Sequence, residues 1–170
     1  MNHVSAPCDR AEAEEIEADP LQGMTLGYLI SLVARLMAQS LKARNGSDGM
    51  APGQYPVALE LLARDGLSQR DLCEAVRIEQ ATMANTLKRM ERDGLITRRP
   101  SVADGRQATI HLTARGAALT QAAVQNVMDI NRLALADLDH DTSEVLRGIL
   151  STMARRLEQD PWRGSPSARP

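Results

Sequence analysis

The chain has no phenylalanine, and aromatic residues make up only 2% of it. A core without Phe rings must be built from Leu, Val, Ile, Met and Ala. Hydrophobic residues, at 43%, supply enough of these, and such a core favours helix packed on helix. Cysteine is nearly absent too: Cys8 and Cys73 lie far apart and form no CxxC pair, which excludes a disulfide framework and a cysteine zinc site. No apolar run reaches the roughly 18–20 residues that span a bilayer. The acidic N-terminus lacks an apolar signal segment, so a cytoplasmic protein without membrane attachment is the expectation. The net charge is −2, which argues against indiscriminate binding to nucleic acid. Catalytic signatures are missing as well. His3, His111 and His140 are scattered, with no HExxH, no glycine-rich phosphate loop and no nucleophile motif. A non-enzyme is expected, with no metal and no cofactor.

What is present is unevenly distributed. The 170 residues suit one domain with extended arms. Residues 1–20 carry six acids against one Arg, with few large apolar residues, and read as an acidic mobile tail. From Arg77 to Arg106 the balance reverses, with seven Lys or Arg against four acids. Basic charge is concentrated in one part of a mildly acidic chain.

That part contains the most informative stretch, Glu79 to Gly94, which reads as one helix. Met83, Leu87 and Met90 recur at spacings of four and three and share a face. The other side offers Gln80, Ala81, Ala84 and Asn85, then the cations Lys88, Arg89 and Arg92. Small residues let a backbone approach a DNA major groove, amides and hydroxyls read base edges, and cations neutralise phosphates. By itself the helix reads first as an amphipathic surface helix with a solvated end, and it is its neighbours that change this. Before it, Ser68 opens a short helix to Ala75, with Asp71 placed for a capping box. A brief turn at residues 76–78 joins the two helices as a helix-turn-helix. After Gly94 the period changes to two. Residues 95–100 and 109–113 read as paired strands, with Asp104-Gly105 as the hairpin turn and Arg106 at its tip. A hairpin there is a wing, and an arginine at its tip suits the negative minor groove.

Long helices flank this module. Residues 24–44 carry Leu26, Leu29, Ile30, Val33, Leu36, Met37 and Leu41 at helical spacing. Pro52 suits the first turn of a second helix to about Asp65, with Val57, Leu59, Leu61 and Leu62 as apolar positions. Thr113 caps a helix to about Asp137, with Leu119, Ala123, Val127, Ile130, Leu133 and Ala134 inward. Residues 139–142 break it, and a last helix from about Ser143 to Gln159 carries Val145, Leu146, Ile149, Leu150, Met153 and Leu157. Residues 161–170 read as a disordered tail. The fold class expected is therefore mainly α with a small β-hairpin wing. A winged helix-turn-helix spans about 52–113 within a single domain over 21–160.

Residues 24–158 resemble the MarR family of bacterial transcription regulators. The resemblance rests on Pro52-Gly53-Gln54-Tyr55-Pro56-Val57, Leu67-Ser68-Gln69-Arg70-Asp71-Leu72 and Ile78-Glu79-Gln80-Ala81-Thr82-Met83. Further along it is carried by Leu87 through Ile96, the wing from Arg98-Arg99 to Asp104-Gly105-Arg106, and Ile110-His111-Leu112-Thr113 with Gly116. Arg77 departs from it, since many relatives have Gly in that turn. The resemblance implies a homodimer held by the first helix (about 24–44) and the last two helices (about 114–159). The apolar stripes of those helices support this, being wider than a small winged module can bury; the alternative is that they close one monomeric core. A twofold dimer would read an inverted repeat in double-stranded DNA. Gln80, Ala81, Thr82 and Asn85 are expected at bases, and Ser68, Gln69, Thr86, Lys88 and Arg89 at phosphates. Arg106 matches the family's wing arginine, with Asp104 orienting it. The resemblance further implies repression, relieved by a small aromatic or phenolic ligand near Tyr28, Arg35 and Tyr55. Two other readings remain: a winged-helix module for protein contacts, and a redox-sensing regulator. The family's peroxide sensors use a cysteine near the first helix, whereas Cys8 lies well before it and Cys73 sits in the third helix.

Overall fold

A computed structural model describes residues 20–100 and 108–160. The chain divides into two compact units, residues 1–36 and 37–170, with the boundary inside the first helix, α1 (Leu26–Asn45). In the first unit the described part is a turn at residues 20–23 and the start of α1. There the apolar residues Leu26, Ile30, Val33 and Leu36 are all exposed on the single chain.

The second unit begins with the remainder of α1, where Leu41 is buried. Asn45 ends the helix and is fixed on both sides: its amide nitrogen donates to the Met50 carbonyl (2.7 Å), and its amide oxygen accepts from Asn126 (2.9 Å). The second helix is shorter than its apolar pattern suggests. Pro52–Gln54 form a 3-10 turn, and α2 proper is Tyr55–Ala63. Proline lacks an amide hydrogen and fits only the first helical turn, so Pro56 sets the start of α2 at Tyr55. Of its apolar positions Val57 and Leu61 are buried with Ala58, whereas Leu59 and Leu62 are exposed.

Gly66, at φ +78°, turns the chain so that its amide donates to the Ile110 carbonyl (3.1 Å). The next two residues then form an unanticipated strand, β1 (Leu67–Ser68). Two residues display no period, so alternation could not reveal it. The capping box at the start of α3 (Gln69–Val76) is present: Ser68 Oγ accepts the Asp71 amide (3.2 Å) and Asp71 Oδ2 accepts the Ser68 amide (3.0 Å). Arg77 ends α3 at φ +60°, the one non-glycine residue with positive φ among those described. Here arginine takes a conformation that costs a side chain about 1–2 kcal/mol and glycine almost nothing. Its guanidinium pairs with Glu158 (2.6 Å).

Helix α4 (Gln80–Arg92) follows and stops at Gly94, φ +69°, where the Leu95 amide returns to the Met90 carbonyl (2.9 Å). Strands β2 (Ile96–Pro100) and β3 (Ala108–Leu112) pair antiparallel, from Ile96↔Leu112 out to Pro100↔Ala108, and the sheet order is β1-β3-β2. The connection at residues 101–107, with Asp104 and Arg106, lies outside the described residues, as do both tails and Cys8.

Helix α5 (Ala114–Ala134) is capped by Thr113, whose hydroxyl accepts the Gly116 amide (2.9 Å). A Cβ at Gly116 would overlap the Leu95 carbonyl oxygen, so glycine lets α5 lie against the end of the α4–β2 connection. Helix α6 (His140–Glu158) starts earlier than expected. Asp139 does not interrupt structure but caps α6, accepting the Thr142 amide at 2.7 Å. Aspartate favours turns and N-caps alike, so its identity alone does not separate them.

The core lies between α2, α3, α4 and the sheet. Val57, Leu72, Met83, Leu87, Met90 and Ile110 are each 0% exposed. Outside it, Leu133, Val145, Ile149 and Leu157 are more than half exposed. Leu133, expected on the inner side of its helix, is 65% exposed on the single chain. Among the described residues no helix is long and apolar enough to cross a membrane.

Candidate nucleic-acid interface

Helix α4 owes its position to the three apolar side chains on one face. Burial of Met83, Leu87 and Met90 turns Gln80, Ala81, Thr82, Asn85, Lys88 and Arg89 outward, and all six are exposed. Gln69, at the start of α3, donates through Nε2 to Gln80 Oε1 (3.0 Å), which brings the two helix starts onto one polar surface. Thr86 is half-buried and its hydroxyl donates back to the Thr82 carbonyl (3.0 Å). Ser68 is engaged in the α3 cap, and its hydroxyl donates to Asp71 Oδ2 (2.7 Å). These hydrogen bonds from Ser68 hold the Asp71 carboxyl below its ordinary pKa.

The cations sort into two kinds. Arg92 pairs with Asp93 (2.9 Å) and Arg98 with Glu91 (3.2 Å). Lys88 and Arg89 pair with no acid among the described residues. Unpaired exposed cations at the end of a polar helix face are available to an anion. The basic end of α4 thus presents its charge through Lys88 and Arg89.

A second cluster fixes the far end of α4. Gln54, 5% exposed, accepts the Ala51 amide (3.0 Å) and donates to Asp93 Oδ2 (2.8 Å). Arg115 of α5 donates to the Asp93 carbonyl (2.6 Å) and the Asp48 carbonyl (3.2 Å). The Gln54 hydrogen bond is the main reason the Asp93 carboxyl titrates below its ordinary value, with Arg92 adding to it against the effect of burial. These residues line a polar cavity of about 400 Å³ with Ser47, Gly49 and Leu95. Arg92 pairs with Asp93, and Arg115 is held by two backbone carbonyls, so the cluster braces α4 against α5 and the 3-10 turn. The cluster was missed in the sequence because its members are 39 and 22 residues apart. A Gln three residues after a proline-bound helix start was the one local sign.

Of the residues expected near a ligand, Tyr28 and Arg35 are exposed in the first unit. Tyr55 belongs to the second, where it is half-buried against the core and burial raises its phenol pKa. Cys73 is buried, and burial, then the charge of Glu74, pushes its thiol pKa up, the opposite of what a reactive thiolate needs.

The profile of the MarR family matches residues 48–107, which span α2 to the wing. Over 134 residues the chain is 31% identical to the organic hydroperoxide resistance transcriptional regulator of Bacillus subtilis, covering 79% of this chain and 90% of that one. The chain belongs to the MarR family. Among solved structures it is similar to MepR of S. aureus in complex with DNA (TM-score 0.72, 25% identity, 78% of this chain and 98% of that one). It is similar also to PcaV of Streptomyces coelicolor in complex with its natural ligand (TM-score 0.71, 25% identity, 81% and 96%). This MarR-family protein is therefore a DNA-binding transcriptional regulator, and α3, α4 and the β2–β3 hairpin are its winged helix-turn-helix.

Proposed function

We propose that this chain is a repressor that binds an inverted-repeat operator as a homodimer and is released by a small aromatic or phenolic ligand. The observation that carries the reading is the two-sided build of α4, with Met83, Leu87 and Met90 fully buried and the amide-rich, cationic face exposed. On this reading Gln80, Ala81, Thr82 and Asn85 meet base edges, where Asn and Gln can pair bidentately with adenine and Ala can touch a thymine methyl. Gln69, Thr86, Lys88 and Arg89 meet phosphates. Ser68 belongs with them by position, although its hydroxyl already serves the cap. Arg106, oriented by Asp104, enters the minor groove. A dimer seated on a promoter blocks polymerase, which makes repression the simplest outcome. The side chains proposed to meet the ligand are Tyr28 and Arg35 of the first unit and, separately, Tyr55 of the second; that a ligand is bound at all is supported by the similarity to PcaV, solved with its natural ligand.

Asn85→Ala tests the reading of bases. It should cost about 1–3 kcal/mol on the preferred duplex and relax preference at one position in each half-site. Competition binding against single-base variants of the site measures this. Equal weakening on every sequence would make Asn85 a phosphate contact and remove it from base reading.

A further inference from the structure

Arg77 stands where the helix-turn-helix bends, three residues before α4 begins at Gln80. Its backbone is left-handed (φ +60°, ψ +42°), and its amide closes α3 on the Cys73 carbonyl (2.8 Å). Glycine or asparagine takes this conformation easily, whereas a long side chain is strained in it. Strain of this kind persists where surrounding contacts hold it. The Arg77 side chain has such a contact: Nη1 lies 2.6 Å from Oε1 of Glu158, the last residue of α6. That oxygen is shut off from solvent and has no hydrogen-bond partner of regular geometry, so the guanidinium is the group that offsets its charge.

Among the described residues this is the one ion pair that joins α6 to another element. The pair of Glu144 with Arg147 and the side-chain hydrogen bonds of Thr152 and Arg155 stay within the helix. Apolar burial does not replace it. The core of the winged module draws on α2, α3, α4, the sheet and Leu119 of α5, and includes no residue of α6. Within α6 only Ser143 is buried, at the opposite end from Glu158. The module therefore packs on α5 and meets α6 at Arg77. Attachment to one helix leaves a rotation about that helix open, and a second attachment on another helix removes it.

We propose that Arg77 and Glu158 are positioning residues: their ion pair fixes the angle of the α3–α4 reading head against α6 and so sets which spacing of operator half-sites is bound. The spacing role rests on the homodimer and inverted-repeat reading above, with α6 in the interface; the tie between the turn and α6 does not. The turn that the pair holds is the one that aims Gln80, Ala81, Thr82 and Asn85 at the start of α4. Glycine at residue 77 would relieve the strain and would not reach Glu158. Arginine keeps the strain and gains the link.

Two substitutions remove the pair and respect the fold. Arg77→Asn suits the left-handed backbone and deletes the guanidinium; Glu158→Gln keeps the side-chain shape and deletes the charge. Amide hydrogen exchange on the full-length protein reads the tie. Protection in the last two turns of α6 should fall about two- to tenfold in either variant. Unchanged protection in either one overturns the tie. DNA binding reads the positioning, with an inverted repeat that the wild type selects from a random pool and versions one base pair longer or shorter between half-sites. Both variants should lose about two- to tenfold of the wild-type discrimination between spacings, with affinity for a single half-site held within about twofold. Arg77→Lys, which keeps the cation, should retain the discrimination, and a loss there equal to that of Arg77→Asn overturns the ion pair as its cause. Discrimination unchanged in Arg77→Asn and Glu158→Gln makes the pair a structural tie and overturns the positioning role. So does weaker half-site binding in Arg77→Asn with stronger binding in Glu158→Gln, the pattern of an arginine that touches a phosphate. A wild type that selects no inverted repeat sinks the operator reading and the spacing role with it, while exchange still decides the tie.

Discussion

Leu87→Ala should destabilise the protein by about 2–5 kcal/mol, the range for truncating a fully buried leucine. Leu87 is 0% exposed and sits between Met83 and Met90 on the only apolar face of α4. The loss has two parts, the transfer free energy of the deleted methyl groups and the cavity they leave. Relaxation cannot easily fill that cavity, because Val57, Leu61, Leu72 and Ile110 around it are themselves buried and held by α2, α3 and the sheet. Against a total stability of about 5–15 kcal/mol this is a large fraction. Denaturant unfolding at one fixed protein concentration measures it, since a dimer's apparent stability depends on concentration. Lys88→Ala, one residue away on the exposed face, should stay within about 0.5 kcal/mol. Equal effects from the two substitutions would mean that α4 is not anchored by this core, and its outward face would lose its basis.

The second large effect is expected from a charge on α6. Ile149 is 52% exposed on one chain, and Val145, one turn earlier, and Leu157, two turns later, are each 61% exposed. Solvent-exposed apolar residues in register along a helix mark a surface that a partner covers. In the proposed twofold dimer, with α6 in its interface, Ile149→Glu places two carboxylates there, and burying each without a cation costs several kcal/mol. The variant should run as an 18.5 kDa monomer in sizing experiments with its helical content intact. A dimer binds both half-sites at once, and losing that linkage should weaken operator affinity about 100-fold or more. A variant that remains dimeric would place the interface away from this face of α6.

The legible parts of the fold were those with a strong local signature. The face of α4, the Ser68–Asp71 box, the strands on either side of residues 101–107 and the long flanking helices all follow from spacing, capping chemistry and alternation. The misreadings have local causes as well. Asp139 is a cap because a helix begins at His140, which depends on packing beyond it. Leu133 fits the apolar period and still lies outside the single-chain core, because the sequence period does not say which apolar positions the chain's own core reaches. Strand β1 is too short to show a period. At the candidate site, the exposed face of α4 was readable since burial of its opposite face determines it. The Gln54–Asp93–Arg115 brace was not, because its members meet only through tertiary structure, 39 and 22 residues apart.

Whether the chain reads an operator as a dimer is decided by selection of duplexes from a random pool by the purified protein, followed by footprinting and titration at several salt concentrations. The expected result is an inverted repeat with half-site centres about one helical turn apart, one dimer bound, and affinity that falls steeply as salt rises. Enrichment of no sequence, with binding that is weak and indifferent to salt, would contradict it.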